Sequence, residues 1–220
     1  VVLLEDLLGK EETEGGKGKG GTTARAGLIK EARTDYVRAY SRVPTGTPTE
    51  GKDRFARLAK KPDELRTMMK QLSGLYYEDG KDKEAAVGYN MLIVERPTSP
   101  EAPGFQSKIV DCVLPAGNKS MTVQQVRRLV KIMNDVKDAV KDEKDRKAIE
   151  EARELSERIL SNLAVNWHNE AKKTRDDETF KFADMVYADY LTLFPENPKA
   201  YDLRFFWAEL LNDNLSKYKR

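Results

Sequence analysis

Between Asn118 and Phe194 the chain contains neither glycine nor proline, and its apolar residues recur three and four positions apart. Val126, Leu129, Val130, Met133, Val136 and Val140 form one such series, and Ile149, Ala152, Leu155, Ile159, Leu163, Trp167 and Ala171 form the next. That period puts each series on one face of a helix. Thr122 with Gln125 has the form of a capping box opening the first helix. The charged stretch 141–145 turns the chain, and Asp176-Asp177 caps a further helix running to Phe194. Upstream, residues 26–42 place Ile29, Ala32, Tyr36 and Tyr40 on one face. Pro44, Gly46 and Pro48 then end that helix and open a loop. A short helix is expected over 53–60, with longer ones over 62–78, 81–95 and 100–114. No stretch alternates with period two, so no strand is predicted and the fold class is all-α.

Composition narrows this picture. Hydrophobic residues make up 39% and charged residues 35%, a balance that suits helices burying one face each. Lys+Arg 39 against Asp+Glu 37 leaves a net charge of +2, with the signs interleaved, so no surface is predicted for nucleic acid. No apolar run approaches the ~20 residues of a membrane span. Val1-Val2-Leu3-Leu4 runs straight into Glu5 and Asp6, unlike a signal peptide. The chain opens without Met and closes at Tyr218-Lys219-Arg220 where a helix is under way, so it reads as a section of something longer. The single Cys112, among Ile109, Val110, Val113 and Leu114, cannot form an internal disulfide and is expected to be a buried thiol. The glycine-rich run 15–21 cannot pack a core and is expected to be a flexible loop.

One pattern occurs three times: Ala, an aromatic residue four on, a small or apolar residue three further, and proline five beyond. It reads Ala32–Tyr36–Ala39–Pro44, Ala85–Tyr89–Leu92–Pro97 and Ala183–Tyr187–Tyr190–Pro195. A small residue lets a paired helix approach, the aromatic fills the next turn, and proline stops the helix. These residues resemble the second helix of a tetratricopeptide repeat (TPR), whose length is ~34 residues. Leu72 and Tyr76 match the family's first helix in one repeat, with Ser73 at its small position. Trp167 and Ala171 match it in another, where Thr174 replaces the usual Tyr. Tyr201, Phe205 and Ala208 lie on a further first helix. The resemblance implies antiparallel helix pairs stacked into a right-handed TPR-like α-solenoid with enlarged middle helices, over residues 62–220. Residues 1–61 are expected to be an irregular helical segment whose register the glycine-rich loop breaks. The linker 77–103, with Pro97-Thr98-Ser99-Pro100-Glu101-Ala102, is similar to bacterial cell-envelope repeat proteins. These include the barrel-assembly lipoprotein, the Tol-Pal accessory protein and gliding-motility scaffolds. That similarity implies a periplasmic or outer-membrane-associated setting, with the cytoplasm as the alternative.

Catalytic chemistry finds little to work with. His168 is the only histidine and lies 56 residues after Cys112, which excludes His/Cys zinc clusters. No G-x-S-x-G elbow occurs. Lys19 is followed by Gly20-Gly21 rather than Ser or Thr, so the glycine run fails as a phosphate loop. Glu150-Glu151 and Asp176-Asp177 alternate with bases, as on a solvated helix face. No cofactor, metal or catalytic residue is predicted.

What remains is a protein-binding scaffold. The resemblance implies a concave groove lined by first helices, with Lys70, Gly74 and Tyr77 in one repeat. His168, Asn169, Lys172 and Arg175 would line the next, and Lys199, Asp202, Phe206 and Glu209 the last. The middle set is net basic and suits an acidic segment. Asn169 and Lys199 match parts of the family's carboxylate clamp, but Leu203 stands where that clamp needs Arg. The implied partner is therefore another protein, presenting a helix or an extended peptide. The alternatives are a helical auxiliary domain of a larger enzyme, and self-assembly as a coiled coil through the long helix at 144–175. Oligomeric state is left open.

Overall fold

A computed structural model describes residues 21–139 and 142–217. The expectations for the glycine run before Gly21, for Val140 and Lys141, and for Tyr218-Lys219-Arg220 lie outside those residues. Every regular element among the described residues is helical. No helix among them is long and apolar enough to cross a membrane. The chain separates into two compact units, the first ending at Leu92 and the second beginning at Ile93.

The first unit begins with α1 (Gly21–Ser41), which starts five residues earlier than its apolar face required. Tyr36, Val37 and Tyr40 of α1 are fully buried. The Tyr36 and Tyr40 rings meet Phe55 edge-on, with centroids 5.8 and 5.5 Å away. Phe55 belongs to α2 (Pro48–Ala56), a helix expected at 53–60. The shift has a local cause. The Thr47 hydroxyl accepts the Glu50 N–H at 3.2 Å, and Pro48 occupies the first helical position, where its missing N–H is harmless. Pro48 thus starts a helix at a point where the cluster of Pro44, Gly46 and Pro48 predicts a loop.

α3 (Pro62–Glu78) and α4 (Asp82–Glu95) follow, close to their expected bounds. Two glycines set how tightly these helices pack. A Cβ at Gly51 would stand 2.8 Å from the Tyr40 ring and 2.9 Å from Leu72, and one at Gly88 would collide with the Ser73 hydroxyl. Side chains tie the remaining backbone together. Arg33 Nη2 donates to the Leu58 carbonyl at 2.7 Å, and Gln71 Nε2 to that of Thr34 at 3.1 Å. The Tyr76 hydroxyl donates to the Gly46 carbonyl at 3.0 Å. Residues 21–61 thus supply two helices packed on α3.

The second unit contains α5 (Ala102–Val113), a 3-10 turn (Leu114–Ala116), α6 (Lys119–Ala139), α7 (Glu143–Thr174), α8 (Asp177–Leu193) and α9 (Ala200–Lys217). α6 begins before the expected capping box. Asn118 Oδ1 accepts the Met121 N–H at 2.9 Å, while the buried Thr122 hydroxyl donates back to the Asn118 carbonyl at 3.1 Å. α5 packs on α6 and α7, and α8 packs on α6, α7 and α9. Val126, Leu129, Leu160, Ala164, Tyr187, Tyr190 and Phe194 are fully buried. Each buried leucine contributes roughly 1.5–3 kcal/mol of transfer free energy. A polar seam runs through this core, with Ser107 and Ser156 hydroxyls 2.7 Å apart. Cys112 is buried, as its neighbours predicted.

α7 has 32 residues. It ends at Arg175, whose φ of 58° is left-handed, and the chain turns directly into α8. Asp176 caps α8, its Oδ2 accepting the Thr179 N–H at 2.8 Å and its hydroxyl at 2.6 Å. The apolar residues of α7 that would form a coiled-coil seam, Ile159, Leu163 and Ala171 among them, are buried inside this unit instead. Across both units the three pattern tyrosines, Tyr36, Tyr89 and Tyr187, are at most 1% exposed. Their helices stop at Ser41, Glu95 and Leu193, two or three residues before proline.

Candidate protein-interaction face

The long helix α7 turns its apolar residues inward and leaves a narrow polar stripe outside. Arg158, Asn162, Asn166 and Asn169 are exposed along it, while Leu160, Leu163, Ala164 and Trp167 are buried on the other side. The spacing of four, four and three residues keeps the stripe in line. None of the three asparagine carboxamides is engaged by another described residue.

A cleft runs along each flank. One, of about 420 Å³, lies between α7 and the end of α5, lined by Leu114, Leu155, Ile159, Trp167, Asp111 and Arg158. The other, of about 360 Å³, lies between α7 and α9, lined by Val165, Lys199, Asp202, Leu203 and Phe206. Asn162 and Asn166 border both clefts.

The sequence-derived candidates divide. Lys199 and Phe206 line the second cleft, as does Asp202. Phe206 is 37% exposed, whereas Lys199 turns its ammonium to Glu157 at 3.3 Å. Asn169 extends the polar stripe. Lys172 does not offer a free positive charge. Its Nζ lies 2.7 Å from Glu209 and 3.7 Å from Asp213, and the Glu209 bond raises the Lys172 pKa while lowering that of Glu209. The Lys172 charge of the net basic middle set is thereby paired from α9. Arg175 is exposed at the end of α7. Lys70 and Tyr77 belong to the first unit and are half-buried, Tyr77 meeting Tyr89 edge-on at 6.3 Å. Gly74, also half-buried, has open space where a Cβ would stand.

His168 corrects the expectation most clearly. It is 4% exposed rather than set out in a groove, and its Nδ1 is 2.9 Å from the Tyr187 hydroxyl. Nε2 is buried with no hydrogen-bond partner among the described residues. Burial lowers the His168 pKa, holding the ring neutral, and raises that of Tyr187. Tyr201 and Phe205 also depart from core positions, being 77% and 65% exposed, because α9 buries Leu203 and Leu210 instead.

No protein-family model matches this chain, and no curated protein matches it either. What the face can do is therefore set by its own chemistry. Its free polar groups are mostly uncharged carboxamides, each able to donate and accept at once. Among the described residues no group of three His, Cys, Asp or Glu is placed to hold a metal ion. Asn162 and Asn166 are absent from the sequence-derived set, because the repeat register assigns the groove to His168, Asn169, Lys172 and Arg175. The signal was available: Asn162 and Asn166 stand four apart, opposite Leu160 and Ala164.

Proposed function

We propose that this chain is a protein-binding scaffold without chemistry of its own, and that its helices form a TPR-like array. The observation carrying the binding reading is the face of α7 with a cleft on either flank. Clefts of this size beside unengaged polar groups suit side chains of a partner rather than an internal contact. The exposed rings of Tyr201, Phe205 and Phe206 on α9 add an apolar surface of the kind found at interfaces. Support for the array comes from the three buried tyrosines at one repeat position, each followed by a proline stop. The linker resemblance supports an assembly at the bacterial cell envelope as the setting.

Photo-crosslinking tests the binding reading directly. A benzophenone amino acid replacing Phe206 should give a discrete covalent adduct with another protein in the native cells. The same group at Glu150, exposed on the charged opening of α7, should give none. Absence of adducts at 206, or identical adducts at both positions, overturns the reading.

A further inference from the structure

We infer that the α7 face holds a partner's segment in extended conformation, and holds it by its main chain through Asn162 and Asn166. This inference rests on the protein-binding reading above and names the form of the partner.

The periods match. Four residues along a helix rise about 6 Å. Two residues of an extended chain advance about 6.6–6.8 Å, and alternate peptide groups along one edge point the same way. Successive asparagines at a four-residue spacing therefore meet successive outward peptide groups of a strand lying along α7. Each carboxamide can accept the strand's N–H and donate to its C=O, which satisfies both halves of a residue without reading its side chain.

The clefts complete the geometry. When a strand turns one hydrogen-bonding edge toward the asparagine row, its side chains project alternately to the two sides. Those sides are where the clefts lie, bordered jointly by Asn162 and Asn166. One cleft sets the half-buried Leu155 between Asp111 and Arg158, which suits a polar side chain with an aliphatic stem, and the other offers Phe206 beside Asp202. A bound helix would use the row poorly, since its own main-chain groups are already paired and the carboxamides would lose water without replacement. Nucleic acid is disfavoured because Lys199 is already turned to Glu157 and Asp202 faces the same cleft.

A random 12-residue peptide library displayed on phage, selected on the full chain, supplies the probe. Asn162→Ala/Asn166→Ala is the comparison protein. Both residues are exposed and unbonded, and alanine favours a helix, so this variant keeps its fold. Synthesised winners should bind the double variant at least tenfold more weakly. N-methylation of alternate peptide nitrogens should abolish binding in one register and leave it unchanged in the other. Isosteric Asn162→Asp/Asn166→Asp, which keeps acceptors and removes donors, should also bind at least tenfold more weakly. Winners that bind all proteins equally, or tolerate methylation in both registers, overturn main-chain recognition. They would leave the protein-binding reading intact, since that stands or falls on the crosslink at position 206. Failure to select any peptide overturns the inference as well.

Discussion

The two units tie their helices together by different means. In the first, side chains reach across to backbone carbonyls: Arg33 to Leu58, Gln71 to Thr34, Tyr76 to Gly46, and Arg66 to Leu92. In the second, side chains meet side chains: His168 with Tyr187, Glu157 with Tyr190 and Lys199, Trp207 with Asp184, Lys119 with Glu170. A carbonyl neither titrates nor mutates, so these bonds depend on one partner's identity each. The Arg33–Glu64 pair, 3.0 Å apart, adds one link in the first unit that depends on two charges. The second unit's links each depend on two partners, and several of those change charge. Helix contacts in the first unit are instead governed by shape, at Gly51 and Gly88. Intolerance of an added methyl is thus a property of the first unit's glycine contacts, whereas most of the side-chain links that carry charge lie in the second.

The largest test removes a shared element of the second unit. Tyr187→Ala deletes a fully buried ring together with the His168 bond. It should cost about 3–5 kcal/mol in urea unfolding, as large-to-small aromatic changes do. A loss below 1 kcal/mol would mean the side-chain links carry little. Next is Gly51→Ala, whose methyl meets the Tyr40 ring and Leu72. It should destabilise by about 1–3 kcal/mol despite better helix propensity. Gly74→Ala, in the same unit but with open space, should instead stabilise by about 0.5–1 kcal/mol. Equal effects at the two glycines would refute the claim that shape governs this unit.

Acid sharpens the comparison further. His168 has its folded pKa lowered from the ordinary 6.5, first by burial and then by Lys172, against opposing contributions from Glu209 and Asp213. The unfolded chain therefore binds the proton first, and stability is fully present above about pH 6.5. It falls as the pH drops from there through the lower folded value. No other histidine exists to contribute. Melting followed from pH 7.5 to 5 should show this decline in the wild type and a flatter profile in His168→Gln. The smallest effect belongs to the exposed Lys172–Glu209 pair. Lys172→Ala should cost about 0.2–1 kcal/mol, and added salt should shrink that difference.

Much of the architecture was legible in the chain itself. Apolar spacing located the helices, proline marked the ends of α1, α4 and α8, and Asp176 was readable as a cap. Two starts were misplaced because a cap is a contest between neighbours. Asn118 outcompeted Thr122, and Thr47 with Pro48 made a helix where prolines suggested a loop. The polar seam of Ser107 and Ser156 was invisible, since serines within an apolar stripe look like interruptions until a partner helix supplies the second hydroxyl. The candidate face was half legible. Lys199 and Phe206, which the repeat register names, line the second cleft, but the same register puts the buried His168 in a groove. Whether a polar residue on that flank is buried depends on α8 and α9, and no periodicity within α7 contains that information.

The length of α7 also sets a clock. None of its residues before Ala152 whose burial is described is fully covered, and the ion pairs there, Arg146 with Glu143 and Lys147 with Glu151, are solvent-facing. From Ala152 onward the helix is clamped by the core of its unit. Amide protons in the opening turns can exchange with solvent through brief local fraying, while those near Leu160 wait for the unit to open. A single continuous helix thus keeps two timescales, and the asparagine row sits entirely on the slow one.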